Sequence, residues 1–358
     1  MDVSIKAMSL IVLMLLSSCA KMGYLYEQGT GQLSLLTSAK KNTELLSDPS
    51  ISPEIKEKVQ KIGEYKDFFY KYYGKDPSQI YDKTTLLERE AVSYLVITSP
   101  WSKIEAHKEC FVFMGCFPYL GFYSLDSAKK YAKRMESEHD YVTYIRPVYA
   151  YSTLGYFTDT ILSSFFVFDD FELSELIFHE LFHTVFFIKN EVNLNESLAN
   201  YFGKEMAVEY FKLDYQKQQE LSQKRHFQEK MGLRIVELAK ELQHRYNNSG
   251  PKSREEAKNI LENFMNERFN GDILALCESQ SKSAQDCSPL KREWNNASFA
   301  AYMTYEGDSE QISKLRQSLG LSLSEFLSYI QKKYEEFQKS TKEGSFSSFL
   351  FNKGHEKT

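Results

Sequence analysis

The stretch His179-Glu180-Leu181-Phe182-His183 constrains this chain more tightly than any other. On a helix, positions i and i+4 share a face, one turn apart. Two imidazoles placed that way can hold one Zn²⁺. The glutamate between them projects near enough to take a proton from a water that the metal activates. The flanks support a buried helix. Leu173 to Phe178 has helical composition, and Thr184 to Ile188 is strongly apolar. A helix that is hydrophobic nearly all round is buried. Buried imidazoles and a buried carboxylate need partners, because unpaired polar groups are costly away from water. One metal ion satisfies all of them. The competing reading is a histidine pair held by hydrogen bonds alone.

A hydrolytic zinc site has a third protein ligand and an open position. Glu191, Glu196 and Glu205 are the candidates. The Asn-rich stretch Lys189 to Asn195 reads as a turn. A second helix is expected to start at Glu196, with Asn195 as its N-cap. Glu196 and Glu205 then fall on opposite faces, since each residue turns the helix by about 100°. Glu196 shares its face with Asn200 and Gly203, a small polar stripe suited to close helix packing. Glu205 sits beside Lys204 and reads as solvated. Glu191 lies in the turn. Glu196 is therefore the expected ligand.

These residues carry a resemblance. Gly115 to Tyr123, Val148 to Phe157, Phe178 to His183 and Asn195-Glu196-Ser197 together resemble the bacterial putative aminopeptidase family, a group of zinc-metallopeptidase-like lipoproteins. Weaker similarity continues through Asn295-Asn296-Ala297, so it covers roughly residues 20 to 340. The resemblance implies a gluzincin-like metallopeptidase with His179, His183 and Glu196 as ligands of one Zn²⁺ and Glu180 as the base. Two positions depart from the family pattern. Phe182 stands where a small residue is usual, and Leu198 where an aromatic is usual. Neither is an expected ligand.

The N-terminus carries a separate signal. Lys6 precedes an apolar run, Met8 to Leu16, followed by Ser17-Ser18-Cys19. The run is too short to span a bilayer and fits a secretory h-region. The small residues before Cys19 match a bacterial lipobox. Residues 1–18 are therefore expected to be a lipoprotein signal peptide, with Cys19 diacylated and anchoring the protein in the cell envelope. Ala20 and Lys21 supply no aspartate to retain the product at an inner membrane, so an outer membrane is expected where there are two. An ordinary signal peptide with an incidental cysteine is the alternative. No later apolar run approaches membrane-spanning length.

Beyond Cys19, the cysteines form two pairs close in sequence, Cys110 with Cys116 and Cys277 with Cys287. An exported chain meets oxidising conditions, so two disulfides are expected, local pairing being the simplest of three connectivities. Neither pair has the C-x-x-C spacing of a metal site. The net charge of −5 leaves no nucleic-acid footprint. The 24 Tyr and 26 Phe supply ample core and an aromatic pocket, with lipid contact by exposed aromatics as a rival use.

Along the chain, residues 19–50 read as a lipidated N-terminus and linker, with a short helix interrupted at Gly29-Thr30-Gly31. Residues 51–345 read as the metallopeptidase domain and 346–358 as a C-terminal tail, frayed from Asn352 to Thr358. Ser52-Pro53-Glu54 starts a helix to about 73. Strands are expected at 92–99, within 109–123 and at 141–151, with a helix over 125–137. Residues 208–246 and 253–268 form a long helical hairpin, broken at Asn247 to Pro251. Helices follow a polar loop at 280–290. The fold class is mostly helical α+β, with a small mixed sheet beside a helical body.

These features predict a lipid-anchored zinc peptidase acting on peptides, most simply an aminopeptidase. Rival functions are an envelope endopeptidase, a cell-wall amide hydrolase, and a non-catalytic lipoprotein with a structural metal. Tyr151 and Tyr156 are the candidates to stabilise the developing oxyanion, with Tyr302 and Tyr305 as rivals. Asp159, Asp169, Asp170 and Glu172 are the acidic residues available to hold a substrate's α-ammonium. His107, His139, His226, His244 and His355 read as surface histidines.

Overall fold

The computed structural model describes residues 23–111, 115–150, 158–280, 282–303, 309–340 and 344–351. In chain order, α1 covers residues 23–37. It is followed by β1 (Lys40–Lys41), α2 (Asn42–Ser47), α3 (Pro53–Tyr72), β2 (Lys83–Thr85) and β3 (Ser93–Pro100). Next come β4 (Glu109–Phe111), β5 (Gly115–Phe117), β6 (Leu120–Phe122), α4 (Leu125–Glu138), β7 (Tyr141–Val148) and β8 (Ile161–Leu162). The remainder is helical: α5 (Asp170–Val185), α6 (Val192–Phe211), α7 (Tyr215–Ser249), α8 (Arg254–Phe264) and α9 (Asn270–Glu278). It ends with α10 (Asn296–Met303), α11 (Ser309–Leu319), α12 (Leu323–Lys339) and α13 (Phe346–Phe351). This is a mostly helical α+β chain. The β1–β2, β3–β6, β3–β7 and β4–β5 ladders are antiparallel, and the strands form small sheets of two or three strands.

The chain forms two compact units. The first comprises residues 1–39, 85–150 and 234–302. Its sheet has the order β6-β3-β7, with Val96 opposite both Leu120 and Ile145. Helix α4 starts at Ser124, whose hydroxyl accepts from Ser127 N. Alternating side chains of a strand face opposite sides, and one side meets α4 in a core of Val96, Leu120, Phe122, Ala128, Tyr131, Ala132 and Met135. Residues 23–37 are helical without interruption, so Gly29-Thr30-Gly31 is not the expected break. Gly31 is there for another reason: a Cβ on it would strike the Tyr123 ring.

The hairpin also lies partly in this unit. Arg245 pairs with Glu267, Arg268 with Glu241 and Arg234 with Asp272, an antiparallel ladder of charges. Its arms differ from the expectation. The outgoing arm begins at Tyr215, because Lys212 in left-handed conformation ends α6. The return arm runs through a π-helical turn, Met265–Phe269, and on to Glu278. Asn296 binds three groups at once, donating to Pro100 O and Trp101 O and accepting from Tyr246 Oη. Both local disulfides are present. Cys110 faces Cys116 across the β4–β5 ladder, and Cys277 and Cys287 are buried.

The second unit comprises residues 40–84, 151–233 and 303–358. Ser52 caps α3 and Asp169 caps α5, each through a side-chain oxygen accepting a backbone N–H three residues on. The core stacks aromatic rings across helices. Phe182 lies on Phe202, and Phe202 on Phe326, with ring planes within 17° and 13°. Phe182 and Leu198, the two departures from the family pattern, are thus fully buried packing residues. Within the expected tail, α13 buries Phe346 and Leu350; residues 352–358 lie outside the described residues.

Candidate metal centre

Helices α5 and α6 make the site. Gly203 lets them touch: a Cβ there would lie 2.8 Å from Glu175 O and 2.9 Å from His179 N. Beyond the end of α5, the chain turns through Asn190, with a positive φ of 65°. Asn195 closes this turn. Its Oδ1 accepts from Ile188 N at 2.9 Å and its Nδ2 donates to Ile188 O at 2.7 Å. This corrects the expected N-cap. Helix α6 begins at Val192, and Asn195 lies inside it as a buried staple. A side-chain amide can replace both halves of a backbone pairing, which is why an asparagine suits the position.

Three side chains then converge. His179 Nε2 lies 3.3 Å from His183 Nε2. The Glu196 carboxylate lies 3.4 Å from the first and 3.6 Å from the second. Four-coordinate zinc with bonds of about 2.0–2.1 Å keeps its ligand atoms about 3.3–3.4 Å apart. Glu196 meets His179 through Oε2 and His183 through Oε1, at separations close to those edge lengths, so the residues fit the ion with the carboxylate facing both imidazoles. His179, Glu180 and His183 also form a group whose ligand atoms lie within 4.8 Å of one another. A His-Glu-His group of this kind can bind a metal. Two carboxylates thus compete for the third place. The close contacts to both imidazoles favour Glu196, and leave Glu180 beside the cluster.

Electrostatics set the three side chains apart. Burial works against a proton on His179, but the hydrogen bond to Glu196 and the charges of Glu180 and Glu196 outweigh it, and its pKa rises. Burial pushes His183 down to about 4, helped by neighbouring His179 and opposed in part by Glu196. The hydrogen bond from His179 holds Glu196 below the usual carboxylate range. So His183 presents a neutral ring and Glu196 a charged carboxylate. Glu180 is buried, with 7% of its surface exposed.

The other candidates separate cleanly. Glu191 accepts from Phe346 N and faces α13. Glu205 is not simply solvated: Arg225 and Arg316 bracket it at 3.3 and 3.0 Å. Asp169 caps α5, and Asp170 is bound by Lys58 and Lys61. Asp169, Asp170 and Glu172 stand 8 to 11 residues before Glu180, or about 12–16 Å along the helix. Cys19, Tyr151, Tyr156, Tyr305 and His355 lie outside the described residues. Tyr302 accepts from Arg292 in the first unit. Of the described surface histidines, His107 alone meets an aromatic neighbour, Tyr141.

Sequence reasoning missed Tyr81. It is buried, yet its φ is +64°, a conformation that a bulky side chain adopts only under constraint. The constraint is visible. Tyr81 N donates to Asp159 O, Tyr81 O accepts from Asn42 Nδ2, and Lys66 holds Asp82. Tyr70 Oη, bonded to Ser78, reaches Thr184 at 2.9 Å, one turn beyond Glu180. Burial raises the Tyr81 pKa well above its usual value, reinforced by the charges of Glu180 and Asp159. A positive φ on a tyrosine has no signature in one sequence.

Two histidines at i and i+4 of α5, with Glu180 between them, form a group that could hold a metal ion. A family model described as a putative aminopeptidase matches residues 23–344, and the chain belongs to that family. Its members are peptidase-like, so a peptide substrate is implied. No curated protein matches the chain. No solved structure matches it.

Proposed function

We propose that this protein is a zinc-dependent aminopeptidase, anchored by lipid at Cys19 in a bacterial cell envelope. The observation that supports it most is the triangle formed by His179 Nε2, His183 Nε2 and the Glu196 carboxylate, with Glu180 buried beside it. A bound zinc ion supplies Lewis-acid polarisation of the scissile carbonyl and activation of water. The chain's residues do the rest. His179, His183 and Glu196 hold the ion. Glu180 accepts a proton as water attacks and returns it to the leaving amine. Tyr151 and Tyr156 are proposed to donate hydrogen bonds to the developing oxyanion.

Exopeptidase action needs a carboxylate for the free α-ammonium. Among the four acidic candidates, Asp159 is favoured. Its charge and that of Glu180 act on the same Tyr81 hydroxyl, whereas Asp169 and Asp170 are committed to capping and ion pairs. An endopeptidase is the nearest alternative. The test compares a free peptide with its N-acetylated form on zinc-loaded protein. Selective cleavage of the free peptide, with Asp159→Asn raising KM for it, is expected. Equal rates on both peptides would remove the exopeptidase assignment and leave the metal site standing.

A further inference from the structure

Helix α1 turns an uncharged face outward. Its glutamines and its glutamate face the protein, beside Tyr24 and the buried Leu35. Gln28 Nε2 donates to Gly121 O, Gln32 Oε1 accepts from Tyr123 Oη, and Glu27 Oε1 accepts from Ser124 N. Tyr24 packs on Phe111 and Phe122. The outward face is Leu25, Tyr26, Gly29, Thr30, Leu33 and Ser34, none of them charged. Tyr26 is 74% exposed and Leu33 59%. Glu27, turned inward, is the helix's one charged residue. A helix on a water-facing surface normally carries charged residues on its outer face.

Two of the hydroxyls on this side bond within the helix. Thr30 Oγ1 donates to Tyr26 O and Thr37 Oγ1 to Leu33 O. A hydroxyl bonded to its own helix loses little when water is removed. An uncharged face with internally bonded hydroxyls and an exposed tyrosine suits the boundary between headgroups and acyl chains.

We infer that the outer face of α1 lies on a phospholipid surface, as an interfacial helix continuous with the lipid anchor. Position argues for lipid over a protein partner. Gly23, the first described residue, follows Cys19 by four residues, a reach of at most about 14 Å. A helix tethered that closely to acyl chains stays at the membrane surface. Interfacial helices commonly add a basic face. This one has none, so contact is expected to be insensitive to salt and to anionic lipid. The inference rests on the reading of Cys19 as acylated, which the mass of the N-terminal peptide checks separately.

The test uses the full chain on phosphatidylethanolamine vesicles, with and without phosphatidylglycerol. A polarity-sensitive dye is placed on Leu33→Cys, and on Glu255→Cys in α8 as a reference. Lipid-borne nitroxides are expected to quench the dye at 33 several-fold more than that at 255, and aqueous iodide to do the reverse. Adding Leu25→Glu and Tyr26→Glu should restore iodide access at 33, with an unchanged Tm. Iodide quenching at 33 equal to that at 255 overturns the inference. So does shielding from both quenchers, which would mean that protein covers the face. If the N-terminal peptide carries no lipid, the same vesicles are mixed with the chain. Lipid quenching at 33 then upholds the helix face without the anchor, and its absence overturns it.

Discussion

A methyl group on Gly203 would stand 2.9 Å from the backbone nitrogen of His179. Real Cβ atoms do not approach backbone that closely, so the two helices of the site meet only because this position lacks a side chain. Helix α6 carries Glu196 and α5 carries both imidazoles. The distance between the helices therefore sets the ligand triangle. Gly203→Ala should cost about 1–3 kcal/mol through overpacking. It should also weaken metal binding about tenfold or more, as displaced support around ligands does. Metal titration of the variant checks this; wild-type affinity would show that the helices separate without moving Glu196.

Glu180 and the ligands should divide by function. Glu180→Gln is expected to keep stoichiometric metal and lower kcat by about 10²–10⁴-fold, the usual contribution of a positioned acid–base group. Full peptidase activity in that variant would falsify the assignment of the base.

His183→Ala should lose the metal, read by elemental analysis. Its lowered pKa means that the ring competes poorly for protons and is open to a cation. Stoichiometric zinc retained by this variant would exclude His183 from the ligand set. Chelation of the wild-type protein should abolish hydrolysis, and readdition of zinc should restore it.

Asp170 sets an acid limit at the start of α5. The hydrogen bond from Lys61, with help from Lys58, holds its carboxyl below the usual range. A carboxylate depressed in the folded state contributes stability above its unfolded pKa, near 3.9, and loses it as the pH falls through the folded value. Below about pH 4, wild type should therefore lose more stability than Asp170→Asn. Parallel stability curves for the two proteins between neutral pH and pH 2 would remove this pair from the acid transition.

The two disulfides should differ in weight. Cys277 and Cys287 are buried and close the longer loop, and their joint replacement by alanine should cost about 2–4 kcal/mol. Cys110 and Cys116 are exposed and already paired by strand register, so their removal should cost less. Chemical denaturation of both double variants tests the order.

What could be read in the sequence was local. The i, i+4 spacing placed His179 and His183 on one face, and the helical period set Glu196 apart from Glu205 and marked Gly203 for close packing. Caps such as Ser52 and strands such as β3 follow equally short-range rules. Roles that depend on distant chain were not legible. Asn195 looked like a cap because its neighbours suit one, but Ile188 claims its amide. Glu205 looked solvated because Arg225 and Arg316 are remote in sequence. The strained backbone of Tyr81 and the inward glutamines of α1 likewise come from contacts with residues dozens of positions away. Backbone periodicity is written in neighbouring side chains, whereas the pairing of buried polar groups is decided only when the tertiary fold brings their partners within hydrogen-bond reach.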